Sequence, residues 1–102
     1  YDVAQIMGGL YGDGIIGLKS AFPPAWADAL AADIWRVWEQ VKDQPGGALP
    51  RGPHRFYVEV APEQIDGFVD IATHPWFVAV CEAVLGPDYR IVEVGFDIPF
   101  PG

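Results

Sequence analysis

The chain has 102 residues, of which 51% are hydrophobic and 14% aromatic, and its formal net charge is −8. This hydrophobic share is too high for a disordered chain, so we expect residues 1–102 to form a single domain or part of one. Only six Lys and Arg are present, which excludes the basic surface that nucleic-acid binding needs and disfavours anionic membranes. No apolar run reaches the roughly 20 residues of a membrane span, so we predict no nucleic-acid and no membrane partner.

The N-terminal residues and the cysteine content bear on location. The start of the sequence, residues 1–4, has neither Met nor a basic n-region. It is therefore unlike a signal peptide and is expected to be a cut end. The one cysteine, Cys81, cannot form an internal disulfide, which suits a reducing compartment. We predict a cytoplasmic protein.

The first half of the chain predicts one strand and one long helix. Residues 1–12 are rich in glycine and are expected to be loosely ordered. Residues 15–19 form a short apolar run between turn residues, which predicts a strand. Residues 24–43 then have the helical period, with an apolar stripe formed by Trp26, Leu30, Ile34, Val37, Trp38 and Val41.

The second half predicts two strands and two helices. Residues 44–53 hold three Pro and three Gly and predict a loop, and residues 54–60 alternate like a half-buried strand. Residues 62–72 predict a short helix. Thr73 is predicted as the N-cap of a further helix that ends at residues 86–87. Residues 89–98 predict a long strand.

These elements favour an α+β fold. The last predicted strand alternates apolar and polar residues, whereas a fully buried parallel strand has a continuous apolar run. We therefore predict helices packed against part of an antiparallel sheet. The last strand has no later partner in the chain, and because intact proteins avoid unpaired apolar edges, this predicts a sequence that has been cut.

No catalytic or metal-binding residue is predicted in this chain. His54 and His74 have no Asp, Glu, Cys or His at metal-ligand spacing, so they are interpreted as a strand-start and a helix-start residue. Cys81 lies on an apolar helix stripe and is expected to be a buried structural thiol. The single Ser20 is not in a nucleophile motif, and the glycines do not form a phosphate-binding loop.

Two pairs of polar residues are candidates for ligand contacts. Arg55 and Tyr57 share one strand face, where an Arg beside a hydroxyl can hold a carboxylate. The alternative is that both face solvent, or that Arg55 pairs with Glu59. Glu93 and Asp97 share a face of the last strand, and they either do acid/base work or are simply exposed.

Three segments together resemble the N-terminal region of phytanoyl-CoA dioxygenase-like proteins. These are YGDGIIGLKSAFPP at residues 11–24 before a long amphipathic helix, THPWFVAVCEAVLGPD at residues 73–88, and IPFPG at residues 98–102. The resemblance implies the N-terminal portion of a double-stranded β-helix, or jelly-roll, oxygenase that uses Fe(II) and 2-oxoglutarate. It also implies that Arg55, with Tyr57 beside it, contacts the 2-oxoglutarate.

The family's iron ligands, a His-x-Asp pair and a distal His, are not found in the 102 residues. Nor is the downstream Arg that holds 2-oxoglutarate. The resemblance therefore implies that the chain stops before the iron site, and that neither Fe(II) nor 2-oxoglutarate binds tightly to this chain alone.

Two functions follow as hypotheses. The first is the N-terminal part of an oxygenase that hydroxylates a small-molecule substrate, with the remainder of the oxygenase chain as its partner. The second is a free-standing acidic protein-interaction module without catalysis, which would use exposed aromatic surface or a strand edge to bind a partner.

Overall fold

A computed structural model describes residues 2–102. The described part of the chain is α+β, with four α-helices and one three-stranded antiparallel sheet. The helices are α1 (Val3–Asp13), α2 (Pro24–Val41), α3 (Asp66–Thr73) and α4 (Pro75–Leu85). The strands are β1 (Leu49–Pro50), β2 (Arg55–Glu59) and β3 (Gly95–Pro99), and a 3-10 turn spans Pro62–Gln64.

The N-terminal segment is a helix, so the prediction of a loose segment was wrong for the described residues; Tyr1 lies outside them. The Asp2 side chain accepts a hydrogen bond from the Ala4 N–H (2.9 Å) and caps the start of α1. Gly14 ends the helix in the left-handed conformation at φ 75°. Ile6 is buried, and α1 packs against α4, so tertiary contact outweighs the low helix propensity of the glycines.

Residues 15–19 are not a strand, which corrects the second N-terminal prediction. Ile15 is 75% exposed. The Ile16 side chain instead packs on Gly9, at a distance that leaves no room for a Cβ on that residue. An apolar run of this length is consistent with either a strand or a packed loop, and here no neighbouring strand pairs with it.

Helix α2 confirms the predicted amphipathic helix and supplies one side of the core. Pro24 stands in its first turn, where its missing N–H costs nothing. Val37 and Trp38 are buried, and the other residues of the stripe are half-buried around them. The core consists of Val37, Trp38, Val58, Val60, Ile65, Phe96 and Ile98, so α2 covers one face of the sheet and leaves the other to solvent.

The sheet has the order β1-β2-β3, and both pairings are antiparallel. In the longer ladder, Val58 lies opposite Phe96 and Tyr57 lies opposite Asp97. The predicted alternation of β2 is confirmed, since Val58 is buried and Arg55 and Glu59 are exposed. The polar residues of β2 and β3 therefore share the face opposite α2.

The last strand is shorter than the predicted residues 89–98. Just before β3, the Val94 carbonyl bonds to the backbone that follows β2, accepting from the Val60 N–H at 3.0 Å. The physical reason lies in β2, which stops at Glu59 because the chain turns into the 3-10 turn that begins at Pro62. Residues 89–93 consequently have no strand to pair with.

The two helices predicted in the second half of the chain are present as α3 and α4, but they begin and end at different residues. The predicted helix over residues 62–72 is divided into the 3-10 turn and α3. The N-cap of α4 is His74, not Thr73: Nδ1 of His74 accepts from the Trp76 N–H at 3.4 Å. Thr73 belongs to α3, and its hydroxyl donates back to the Val69 carbonyl. The end of α4 is open to solvent, where Leu85 is 66% exposed.

Candidate functional site

The polar face of the sheet carries the candidate site. Successive side chains of a strand point to opposite faces of the sheet. Because Val58 points into the core beneath α2, Arg55 and Tyr57 project from the other face of β2. Antiparallel pairing with β3 places Asp97 opposite Tyr57. The structure thus brings both predicted ligand-contact residues onto one surface, which also contains the two predicted carboxylates Glu93 and Asp97.

Arg55 binds Asp97 through two parallel hydrogen bonds. Nε of Arg55 donates to Oδ1 of Asp97 at 3.0 Å, and Nη2 donates to Oδ2 at 2.9 Å. The hydrogen bond lowers the pKa of the Asp97 carboxyl and raises the pKa of Arg55. Both side chains are about half exposed, so the pair contributes little to stability. Its main effect is to hold the guanidinium fork in a geometry that suits a carboxylate. Arg55 does not pair with Glu59.

Tyr57 forms a second hydrogen bond to a carboxylate. Its hydroxyl donates to Oε1 of Glu93 at 2.5 Å, and this bond is the main cause that raises the pKa of Tyr57 to about 12. The Arg51 guanidinium lies 5.3 Å from the centre of the Tyr57 ring. The hydroxyl and ring of Tyr57 also lie against Gly95, where no side chain would fit. Tyr57 is therefore a fixed, protonated donor near neutral pH.

The raised pKa predicts how Tyr57 responds to alkali. Its pKa is about 12 in the folded chain and about 10 in an unfolded one. The stabilisation from its bond to Glu93 is therefore fully present below about pH 10 and is lost as the pH rises towards 12. We expect the tyrosinate absorbance of the native chain, minus that of Tyr57→Phe, to rise near pH 12. In Glu93→Ala, which removes the acceptor, the same difference is expected to move towards pH 10. A Tyr57 transition near pH 10 in the unsubstituted chain would contradict the hydrogen bond.

The histidines and the cysteine lie away from this face or take structural positions. His54 precedes β2 with a positive φ of 57°, and its carbonyl accepts from the Phe100 N–H at 2.6 Å. The His74 ring packs against the rings of Phe22 and Trp76. Cys81 is half-buried rather than buried. Across residues 2–102, no three His, Cys, Asp or Glu side chains gather as ligands for a metal ion.

A groove beside the polar face was not predicted from the sequence. It consists of two hollows, of about 250 Å³ and about 260 Å³, between α3 and the segment that leads into β3. Both are lined by Phe68, Ala72, Ile91, Glu93 and Val94. The sequence holds one indication of this groove, the alternation of apolar and acidic residues over positions 91–97. That pattern does not indicate that α3 lies beside the segment.

None of the described helices is both long and apolar enough to cross a membrane by itself. Helices α3 and α4 reach that length and hydropathy only when they are taken together, across a bend of 59°.

Comparison with protein-family models, with curated proteins and with solved structures found no match for this chain. The functional argument therefore depends on the residues and their geometry.

Proposed function

We propose that this chain is the N-terminal part of a cytoplasmic Fe(II)- and 2-oxoglutarate-dependent oxygenase of the phytanoyl-CoA dioxygenase-like kind, which hydroxylates a small-molecule substrate. In this proposal α2 supports the first strands of a double-stranded β-helix. The antiparallel sheet is open along the outer edge of β3, which suits the addition of further strands. The remainder of the oxygenase chain would then be the partner of this edge.

The observation that carries the proposal is the carboxylate-binding geometry of the polar face. Arg55 holds one carboxylate through two hydrogen bonds, and Tyr57 donates to a second carboxylate. A dicarboxylate such as 2-oxoglutarate presents the same chemistry, and we assign Arg55 and Tyr57 as its contacts. Because Asp97 occupies the guanidinium of Arg55, 2-oxoglutarate would have to replace Asp97.

Iron does not fit the described residues, because no three potential ligands come together among them. No catalytic step is therefore assigned to this chain. Its own residues contribute the packed support of the sheet and the carboxylate contacts, and the iron ligands of the proposal belong to the remainder of the oxygenase.

The coding sequence that follows Gly102 gives the first test. A His-x-Asp pair within a few tens of residues supports the proposal, and its absence from that stretch refutes it. If the pair is present, the polypeptide that carries it is expected to convert 2-oxoglutarate to succinate in an Fe(II)-dependent reaction.

The assigned contact is tested by kinetics of that polypeptide. We expect Arg55→Gln to raise the KM for 2-oxoglutarate about tenfold, since a charged, bidentate contact is lost. Arg90→Gln is the matched control, because Arg90 is exposed and loses the same charge. Equal KM values in the two variants would show that Arg55 only holds Asp97.

The second candidate, an acidic interaction module, is favoured by one observation. Several large apolar side chains are exposed on the described surface, and Val92 is 93% exposed. Such residues are typical of a surface that binds another protein when they form a patch. A monomeric chain with a cooperative melting transition, encoded without a following His-x-Asp pair, would favour this candidate over the oxygenase.

A further inference from the structure

The groove beside α3, which we call the α3 groove, is one continuous surface. Its two hollows share five lining residues, so a ligand can span both. Phe68 and Ala72 come from α3, and Ile91 and Val94 come from the segment before β3. These four residues make the floor and walls apolar, as in most small-molecule sites.

The charged groups of the α3 groove are carboxylates. Glu93 lines both hollows and Glu59 lines one of them, and none of the described lining residues is Lys, Arg or His. The Tyr57 hydroxyl donates to Glu93 at 2.5 Å, which limits the rotation of that carboxylate before any ligand arrives. Such preorganisation reduces the entropy that binding costs.

We propose that the α3 groove binds a small organic amine, with its apolar body between Phe68 and Val94 and its ammonium group at Glu93. The charge of the chain, −8, attracts a cation and repels an anion of the same shape. Each hollow, of about 250 Å³ and about 260 Å³, is smaller than the pockets of roughly 300 Å³ or more that hold drug-sized ligands, which limits the occupant to a small molecule. Arg55 and Asp97 line neither hollow, so the amine site shares with the proposed 2-oxoglutarate contacts only the hydrogen bond from Tyr57 to Glu93.

The test is a titration of the isotopically labelled chain with phenethylamine, followed by amide chemical shifts. We expect saturable shifts at residues 68–72 and 91–95 with a dissociation constant of about 1 mM, as befits a ligand of this size. Phenethyl alcohol keeps the apolar body and lacks the charge, so it is expected to bind about fivefold more weakly. Hydrocinnamate reverses the charge and is expected to give no saturable shifts.

Two variants locate the amine. Glu93→Gln can still accept from Tyr57 but loses the charge, and we expect about fivefold weaker binding. Its matched control is Glu82→Gln, which removes a charge from an exposed residue of α4 that lines neither hollow. Ala72→Leu places a larger side chain in the groove and is expected to abolish binding, while the amide shifts of α2 and β1 keep their native dispersion.

Three results would overturn the proposal. The first is equal affinity for phenethylamine and phenethyl alcohol, which would show that the carboxylates play no part. The second is a set of shifts centred outside the α3 groove, which unchanged binding in Ala72→Leu would also indicate. The third is a dependence of the groove shifts on protein concentration alone, which would show that a second copy of the chain occupies the groove.

Discussion

Trp38→Ala is expected to lower the free energy of unfolding by about 4 kcal/mol, the middle of the range for truncation of a buried Trp. Trp38 is 8% exposed and belongs to the core. Its ring centre lies 5.5 Å from that of Phe56 and 5.3 Å from that of Phe100, so one side chain joins α2 to β2 and to the segment after β3. Urea denaturation followed by circular dichroism measures the loss.

The control lies on the same helix. Trp35 is 50% exposed, and Trp35→Ala is expected to cost less than about 1 kcal/mol. A small domain has about 5–15 kcal/mol of stability in total, so Trp38→Ala is expected to leave the chain close to unfolding at ordinary temperature. Equal losses in the two variants would mean that α2 does not present the observed face to the sheet.

The parts of the fold that the sequence predicted are those where the residue period alone decides the structure. The stripe that contains Val37 and Trp38 repeats at helical spacing, and the alternation around Val58 is that of a strand with one buried face. The N-terminal helix was missed because glycine is a poor helix former. Ile6 and Leu10 are nevertheless four residues apart, the spacing that places two apolar side chains on one face of a helix. Packing against α4 stabilises this helix, and a contact between segments so far apart in the sequence cannot be read from the residues of α1 alone.

The candidate site was predicted in its residue types and not in its pairing. Arg55 and Tyr57 were recognised as neighbours on one face, but their partners lie about 40 positions later, Asp97 in β3 and Glu93 in the segment before it. Only the register of β2 with β3 places Asp97, and not Glu59, against Arg55. A shift of one residue would exchange the two faces of the strand, so the pairing depends on the core residues Phe96 and Ile98 as much as on the charges.

Gly95→Val is expected to lower the free energy of unfolding by about 3 kcal/mol, the upper part of the usual range for overpacking. Sequence reasoning alone would expect the opposite, since Val favours strands and Gly weakens them. A Cβ at Gly95 would collide with the hydroxyl and ring of Tyr57 and with the backbone carbonyl of Val58. The ring can move, but the carbonyl belongs to the ladder between β2 and β3, so relief requires the strands to separate.

The matched control is Gly17→Val, because a Cβ at Gly17 would meet no atom within 4 Å. We expect that variant to unfold within about 0.5 kcal/mol of the unsubstituted chain. Gly95→Val is also expected to displace the Tyr57 hydroxyl from Glu93, so that the Tyr57 absorbance transition moves from near pH 12 towards pH 10. A stable Gly95→Val variant in which Tyr57 still ionises near pH 12 would show that β2 and β3 are not packed as closely as the structure has them. If stability and the Tyr57 transition fall together, a single glycine sets both the strand contact and the donor on the polar face.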